Sequence, residues 1–194
     1  MAFTDDFTGS DEQALEDRSG WTLVKDGASK GRVVSNSIGY RLEGGGSGDT
    51  YYICTDQGSA DHYTQIKAVK FATRPEYRVC CRLVDEDNWI GWYLGGTGGA
   101  GSRLAKDVAG SITDLVTTQG ANNDVIKVTC ESNTIKFYID DVQQGTDQTV
   151  TDHNTETSQG LVDSSGSAQV SSYDDFEAGL TAVPSFIPKV IMIN

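Results

Sequence analysis

Trp89, Gly91 and Tyr93 recur at every second position of one short apolar stretch, so on a strand they share a face. If the preceding segment pairs with them as a hairpin across Asp85-Glu86-Asp87-Asn88, Arg82 and Arg78 reach the same face. Aromatic rings stack on the C–H faces of sugars, and a guanidinium supplies a fork of donors. A glycine between the rings leaves bare backbone that a flat ligand approaches closely. Trp89, Gly91, Tyr93, Arg82 and Arg78 are therefore the candidate glycan-binding residues. The competing reading is that a loop or a second subunit covers the aromatics.

A second grouping is acidic. Asp5 alternates with Phe3 and Phe7, and Asp174 precedes Phe176 by two, so both carboxylates lean inward, where an unpaired charge is costly. A structural Ca²⁺ held by Asp5 and Asp174 would satisfy them; backbone N–H partners would serve as well. Asp85-Glu86-Asp87 lies in a turn, and Asp175 with Glu177 reads as surface charge on a late strand. His62 and His153, the two histidines, have no Ser or Cys partner at a recognisable spacing, which argues against a triad or a zinc site. Gly96-Thr97-Gly98-Gly99-Ala100-Gly101 has the glycine spacing of a dinucleotide loop but lacks the βαβ unit that loop needs, and reads as a flexible connection.

The elements that would position these residues are strands. Apolar alternation bounded by Gly, Asn, Asp and Ser recurs from Thr4–Thr8 to Val170–Ala178, with a helical turn expected at Asp11–Asp17. Two hairpins carry their own registers. In the first, Leu83 is expected opposite Ile90, Cys81 opposite Trp92 and Val79 opposite Leu94, with Arg82–Gly91 and Cys80–Tyr93 on the reverse. In the second, turning at Ser132-Asn133, Cys130 meets Ile135, Val128 meets Phe137 and Ile126 meets Ile139. Each hairpin has one apolar face, and two such sheets stacked core to core make a sandwich.

The 194-residue length suits one domain. A net charge of −13 disfavours nucleic acid, which needs clustered Lys and Arg. No apolar stretch is long enough for a membrane helix. Cys54, Cys80, Cys81 and Cys130 lack metal-ligand spacing and are expected to be reduced thiols. The first residues carry no signal-peptide pattern, so the expectation is either folding in the cytoplasm or a signal already removed from this sequence.

Thr4-Asp5-Asp6-Phe7, Asp87-Asn88-Trp89-Ile90-Gly91-Trp92, Ile126–Cys130 with Thr134–Asp141, and Tyr173-Asp174-Asp175-Phe176 together resemble the concanavalin A-like, laminin-G-like jelly-roll superfamily. The resemblance implies an all-β, two-sheet antiparallel jelly-roll sandwich whose first and last strands lie side by side. Members bind glycans, cleave them, or build virion and cell-surface structures. The alternating Glu-x-Asp-x-Glu strand of the glycan-cleaving members is missing here, so the expectation is a non-catalytic protein. The leading expectation is a structural or adhesive component of a bacteriophage virion, a capsid decoration or tail-associated protein assembled in the host cytoplasm. Its partners would be copies of itself or capsid and tail proteins, with a glycan in addition. The alternatives are an extracellular carbohydrate-binding module of a secreted protein, or a divergent glycoside hydrolase or lyase.

The sandwich is expected to span residues 1–179 and to leave residues 180–194 as an apolar tail. Pro184 and Pro188 rule out a regular helix or central strand there. Phe186, Ile187, Val190, Ile191 and Ile193 are the candidate docking residues, adding either to the chain's own sheet or to a neighbour's edge.

Overall fold

Alternation of apolar and polar residues builds both layers of this molecule, and its interruptions decide which residues end up where. The computed structural model describes residues 1–25, 29–33, 35–42, 50–53, 56–70, 77–94, 101–163 and 172–181. In chain order the strands are β1 (Phe3–Asp5), β2 (Thr22–Lys25), β3 (Ser29–Val33), β4 (Ile38–Leu42), β5 (Thr50–Ile53), β6 (His62–Lys70), β7 (Tyr77–Asp85) and β8 (Asn88–Leu94). They continue as β9 (Gly101–Val108), β10 (Ser111–Gln119), β11 (Val125–Glu131), β12 (Thr134–Ile139), β13 (Val142–Thr149), β14 (Gly160–Asp163) and β15 (Ser172–Leu180). The expected helical turn is a single 3-10 turn, Leu15–Asp17.

Among the described residues, one sheet has eight strands in the order β13-β12-β11-β6-β15-β4-β3, with β1 also on β15. The other has seven, in the order β10-β9-β8-β7-β14-β5-β2. Every pairing is antiparallel. The first strand closes on the last, with Thr4 opposite Glu177. Between the sheets, Ile126, Val128, Ile135 and Phe137 pack with Val79, Ile90, Trp92, Leu104 and Leu161.

The second hairpin has the expected register, Ile126–Ile139, Val128–Phe137 and Cys130–Ile135. The first does not. Its turn is tighter, with Asp85 paired to Asn88, and the register shifts twice, between Leu83 and Asp85 and between Cys80 and Arg82. Each shift inserts one extra residue on β7 and so exchanges the faces beyond it. Arg82 therefore stands opposite Ile90, Leu83 opposite Trp89, and Val79 opposite Trp92. β9, β13 and β14 carry little alternation; β13 is an edge strand, largely exposed.

Candidate functional site

The face expected to stack on a sugar is closed. Trp89 is 0% exposed, in a small cluster with Cys80, Leu83, Ala105 and Val162 on the outer side of the seven-stranded sheet. The Arg78 guanidinium lies over its ring at 4.9 Å, taking the position a ligand would need. Across the ladder Trp89 pairs with Asp107 of β9, whose pKa is raised chiefly by burial, with Arg78 pulling the other way. Gly91 is no open floor. A Cβ there would stand 2.5 Å from the Val79 carbonyl oxygen and 2.7 Å from the Cys80 Cα, so β7 itself occupies that space. Arg82 has left the face altogether: swung inward by the register shift, it donates from Nη2 to the carbonyls of Ala60 (3.0 Å) and Ser132 (2.7 Å). The Tyr93 side chain lies outside the described residues. The expected platform is thus corrected to a packed satellite cluster, held by a cation–π contact and a buried acid.

The expected calcium ligands, Asp5 and Asp174, each have partners within the chain. Asp5 is partnered by a cation, but a covalently tethered one. The Arg18 guanidinium grips its carboxylate at two points, with Nε–Oδ2 at 2.9 Å and a shorter contact from Nη2 to Oδ1. The Trp21 indole donates to Oδ2 at 2.8 Å and the Phe7 amide to Oδ1 at 2.8 Å. The carboxylate holds the Arg18 guanidinium charged, raising its pKa mainly through that hydrogen bond. Asp174 is half-buried and accepts from the Asp175 amide at 2.9 Å. Burial raises its pKa, and the charges acting on it are Asp175, Lys67 and Asp6. No group of three or more His, Cys, Asp and Glu side chains among the described residues is arranged to hold a metal.

Of the two histidines, His62 is buried and His153 partly so. His62 is fully buried, its ring bridging the carbonyls of Ser59 and Cys81, and burial lowers its pKa. His153 Nε2 contacts the Asp107 carbonyl at 2.9 Å.

The open site lies on the other sheet. Register places Thr4, Glu177 and Gln65 in one row across β1, β15 and β6. That row forms a side of a cleft of about 720 Å³, whose opposite wall is the chain from Asp6 to Ser19. A register shift between Asp174 and Glu177, with Asp175 at φ 50°, turns Asp175 out at its rim. The Asp5–Arg18 pair fixes the far wall, and Arg18 Nη1 also donates to the Thr8 carbonyl (3.0 Å) and Gln13 Oε1 (3.1 Å). Beneath lies an aromatic floor in which Trp21 meets Phe176 at 4.9 Å, Phe3 at 5.6 Å and Phe7 at 6.2 Å between ring centroids. Next to the cleft, Tyr63 lies flat against Gly179, where any Cβ would come within 2.9 Å of the ring, and its hydroxyl donates to Glu177. Burial first, and Glu177 second, push that phenol up to about 12. A cleft edged by carboxylates, an amide and a guanidinium on rigid strands is suited to exchange hydrogen bonds with a polyhydroxylated ligand.

No family model matches the sequence, and no curated protein matches it. Solved structures do match in shape. One is the carbohydrate-binding module CBM66 from Bacillus subtilis, at 16% identity, over 81% of this chain and 94% of that one, with a TM-score of 0.58. Another is the exoplasmic/lumenal domain of VIP36 in its Ca²⁺/Man-bound form, at 10% identity, 96% and 92% coverage and a TM-score of 0.62. The fold is a concanavalin A-like jelly roll. LamAcat from Zobellia galactanivorans shares it, at 10% identity, 91% and 96% coverage and a TM-score of 0.60.

Asp175 and Glu177, which in the sequence read only as surface charge on a late strand, border the cleft. The available signal was the pair of Asp-Asp-Phe segments, which set β1 beside β15; the wall contributed by Arg18 carried none. Phe186, Ile187, Val190, Ile191 and Ile193, the expected docking residues, lie outside the described residues. β15 itself runs to Leu180, and the Thr181 amide is tied to the Asp61 carbonyl at 3.2 Å.

Proposed function

We propose that this chain is a non-catalytic glycan-binding module, and that the cleft bounded by β1, β15, β6 and the segment Asp6–Ser19 takes the ligand. The observation that carries this reading is the row Thr4–Glu177–Gln65 opening into a preformed polar cleft. The fold supports it, since CBM66 is a carbohydrate-binding module and the VIP36 domain is in a mannose-bound form. Five carboxylates, Asp5, Asp6, Asp17, Asp175 and Glu177, line the cleft against the single guanidinium of Arg18. Like-charge repulsion then favours neutral sugars over sulfated or uronic ones. Asp175 and Glu177 are poor candidates for acid and base. The Asp175 side chain is 61% exposed, and Glu177 is engaged by Tyr63, whereas a general acid needs a sheltered carboxyl.

Binding to a panel of neutral and acidic polysaccharides, measured with wild type and Glu177→Ala, tests the proposal. Binding confined to neutral glycans, weakened about tenfold or more by the substitution and without release of reducing ends, is expected. Turnover abolished by Asp175→Asn or Glu177→Gln would overturn the non-catalytic reading. The virion setting rests on the sequence alone, and locating the protein in purified particles tests it.

A further inference from the structure

Two thiols from opposite sheets meet in the core. Cys81 on β7 and Cys130 on β11 are both 0% exposed, and their sulfurs are 2.8 Å apart. Packed sheets stand about 10 Å apart, but here β7 and β11 approach within 8 Å between Cα atoms. The extra residue inserted on β7 at this point leaves Cys81 on the inner face beside Arg82. Cys80, its neighbour, points the other way into the Trp89 cluster, and Cys54 lies outside the described residues.

We propose that Cys81 and Cys130 are a built disulfide site that locks the two sheets together when the chain folds in an oxidising environment. The oxidant is a small or protein disulfide. The Cys81 thiolate attacks one of its sulfurs and releases the first leaving thiolate. The Cys130 thiolate then attacks the Cys81 sulfur of the mixed disulfide and releases the second. The two cysteines lose two protons and two electrons, and the oxidant is reduced to two thiols. Burial raises the Cys130 pKa well above that of an ordinary thiol, so the folded, reduced protein holds little thiolate there. The bond therefore forms before the sheets close, and a protein folded under reducing conditions keeps both thiols. In that state Cys81 Sγ donates to the Ile90 carbonyl at 3.3 Å and Cys130 Sγ donates to Cys81, so the reduced core is also satisfied.

The test is refolding of the full chain from denaturant, in parallel, with a mixed oxidised and reduced glutathione buffer and with a reductant. Thiol titration and peptide mapping under denaturing, alkylating conditions then follow. The oxidised preparation is expected to have lost two of its four thiols, to yield a peptide joined through Cys81 and Cys130, and to melt on the order of 10 °C higher than the reduced one. The reduced, folded protein is expected to resist the same oxidant when it is added after folding. Four titratable thiols after oxidative refolding, or a bridge through Cys54 or Cys80 instead, would overturn the proposal.

Discussion

The outer faces of the two sheets put similar residues to opposite ends. On the seven-stranded sheet, an aromatic ring, a guanidinium and a carboxylate, Trp89, Arg78 and Asp107, are folded onto one another and sealed. Against the eight-stranded sheet, Arg18 and Asp5 are also joined, with the core residue Trp21 donating to Asp5, but the pair lines an open cleft whose other side is the polar row of Thr4, Glu177 and Gln65. The first cluster packs its ring and guanidinium against each other out of solvent, and the second uses some of its polar groups to hold the rest in place. Residue types that look like a sugar platform are therefore not one until the backbone leaves their faces open. At Gly91 it does not, because β7 fills the gap.

The comparison breaks most visibly at Trp89. If it is a packed side chain, Trp89→Ala costs about 3–5 kcal/mol of stability by chemical denaturation. A cost below about 1 kcal/mol would restore the exposed platform. Next is the wall. Arg18→Met leaves Asp5 with its charge uncompensated and is expected to cost about 2–3 kcal/mol, less than a fully buried pair because its own side chain is 12% exposed. Millimolar Ca²⁺ is expected to leave that melting point unchanged, whereas full recovery would revive the metal site.

In the cleft, Gln65→Ala with Glu177→Ala is expected to leave stability within about 0.5 kcal/mol while weakening glycan binding by about 1.4 kcal/mol or more. An equal loss from Trp89→Phe would move the site to the other sheet. The smallest effect is a titration. Tyr63, at about 12 in the folded chain against an unfolded value of 10.0, holds its proton more tightly when folded. Its contribution is complete below pH 10 and is lost as pH rises through 12. Glu177→Gln removes a charge and a carboxylate acceptor that both raise the value, so the phenol is expected to ionise at lower pH, followed by its NMR ring resonances.

What the sequence showed and hid follows from local geometry. The β11–β12 hairpin was legible to the residue because Ser132-Asn133 makes the tight turn and the alternation runs unbroken on both sides. β7 misled because Val79-Cys80-Cys81 and Leu83-Val84 are continuous apolar runs, compatible with either face, and two inserted residues resolved the ambiguity. An unbroken alternation along β7 would put Arg82 on the face of Trp89 and leave that face accessible; the two shifts turn Arg82 inward. The pairing of β1 with β15 was legible from the twin Asp-Asp-Phe segments, so half of the cleft was within reach. The other half depends on Arg18 crossing thirteen positions to Asp5, which no periodicity encodes.

The central claim is that ligand enters between β1, β15 and β6. An amide and indole NMR titration with a neutral glycan that binds tests it most directly. Shifts are expected at the amides of Thr4, Gln65, Asp175 and Glu177, with the Trp89 indole N–H unmoved. Shifts centred on the Trp89 indole and Ala105, with the β1–β15–β6 row silent, would contradict it.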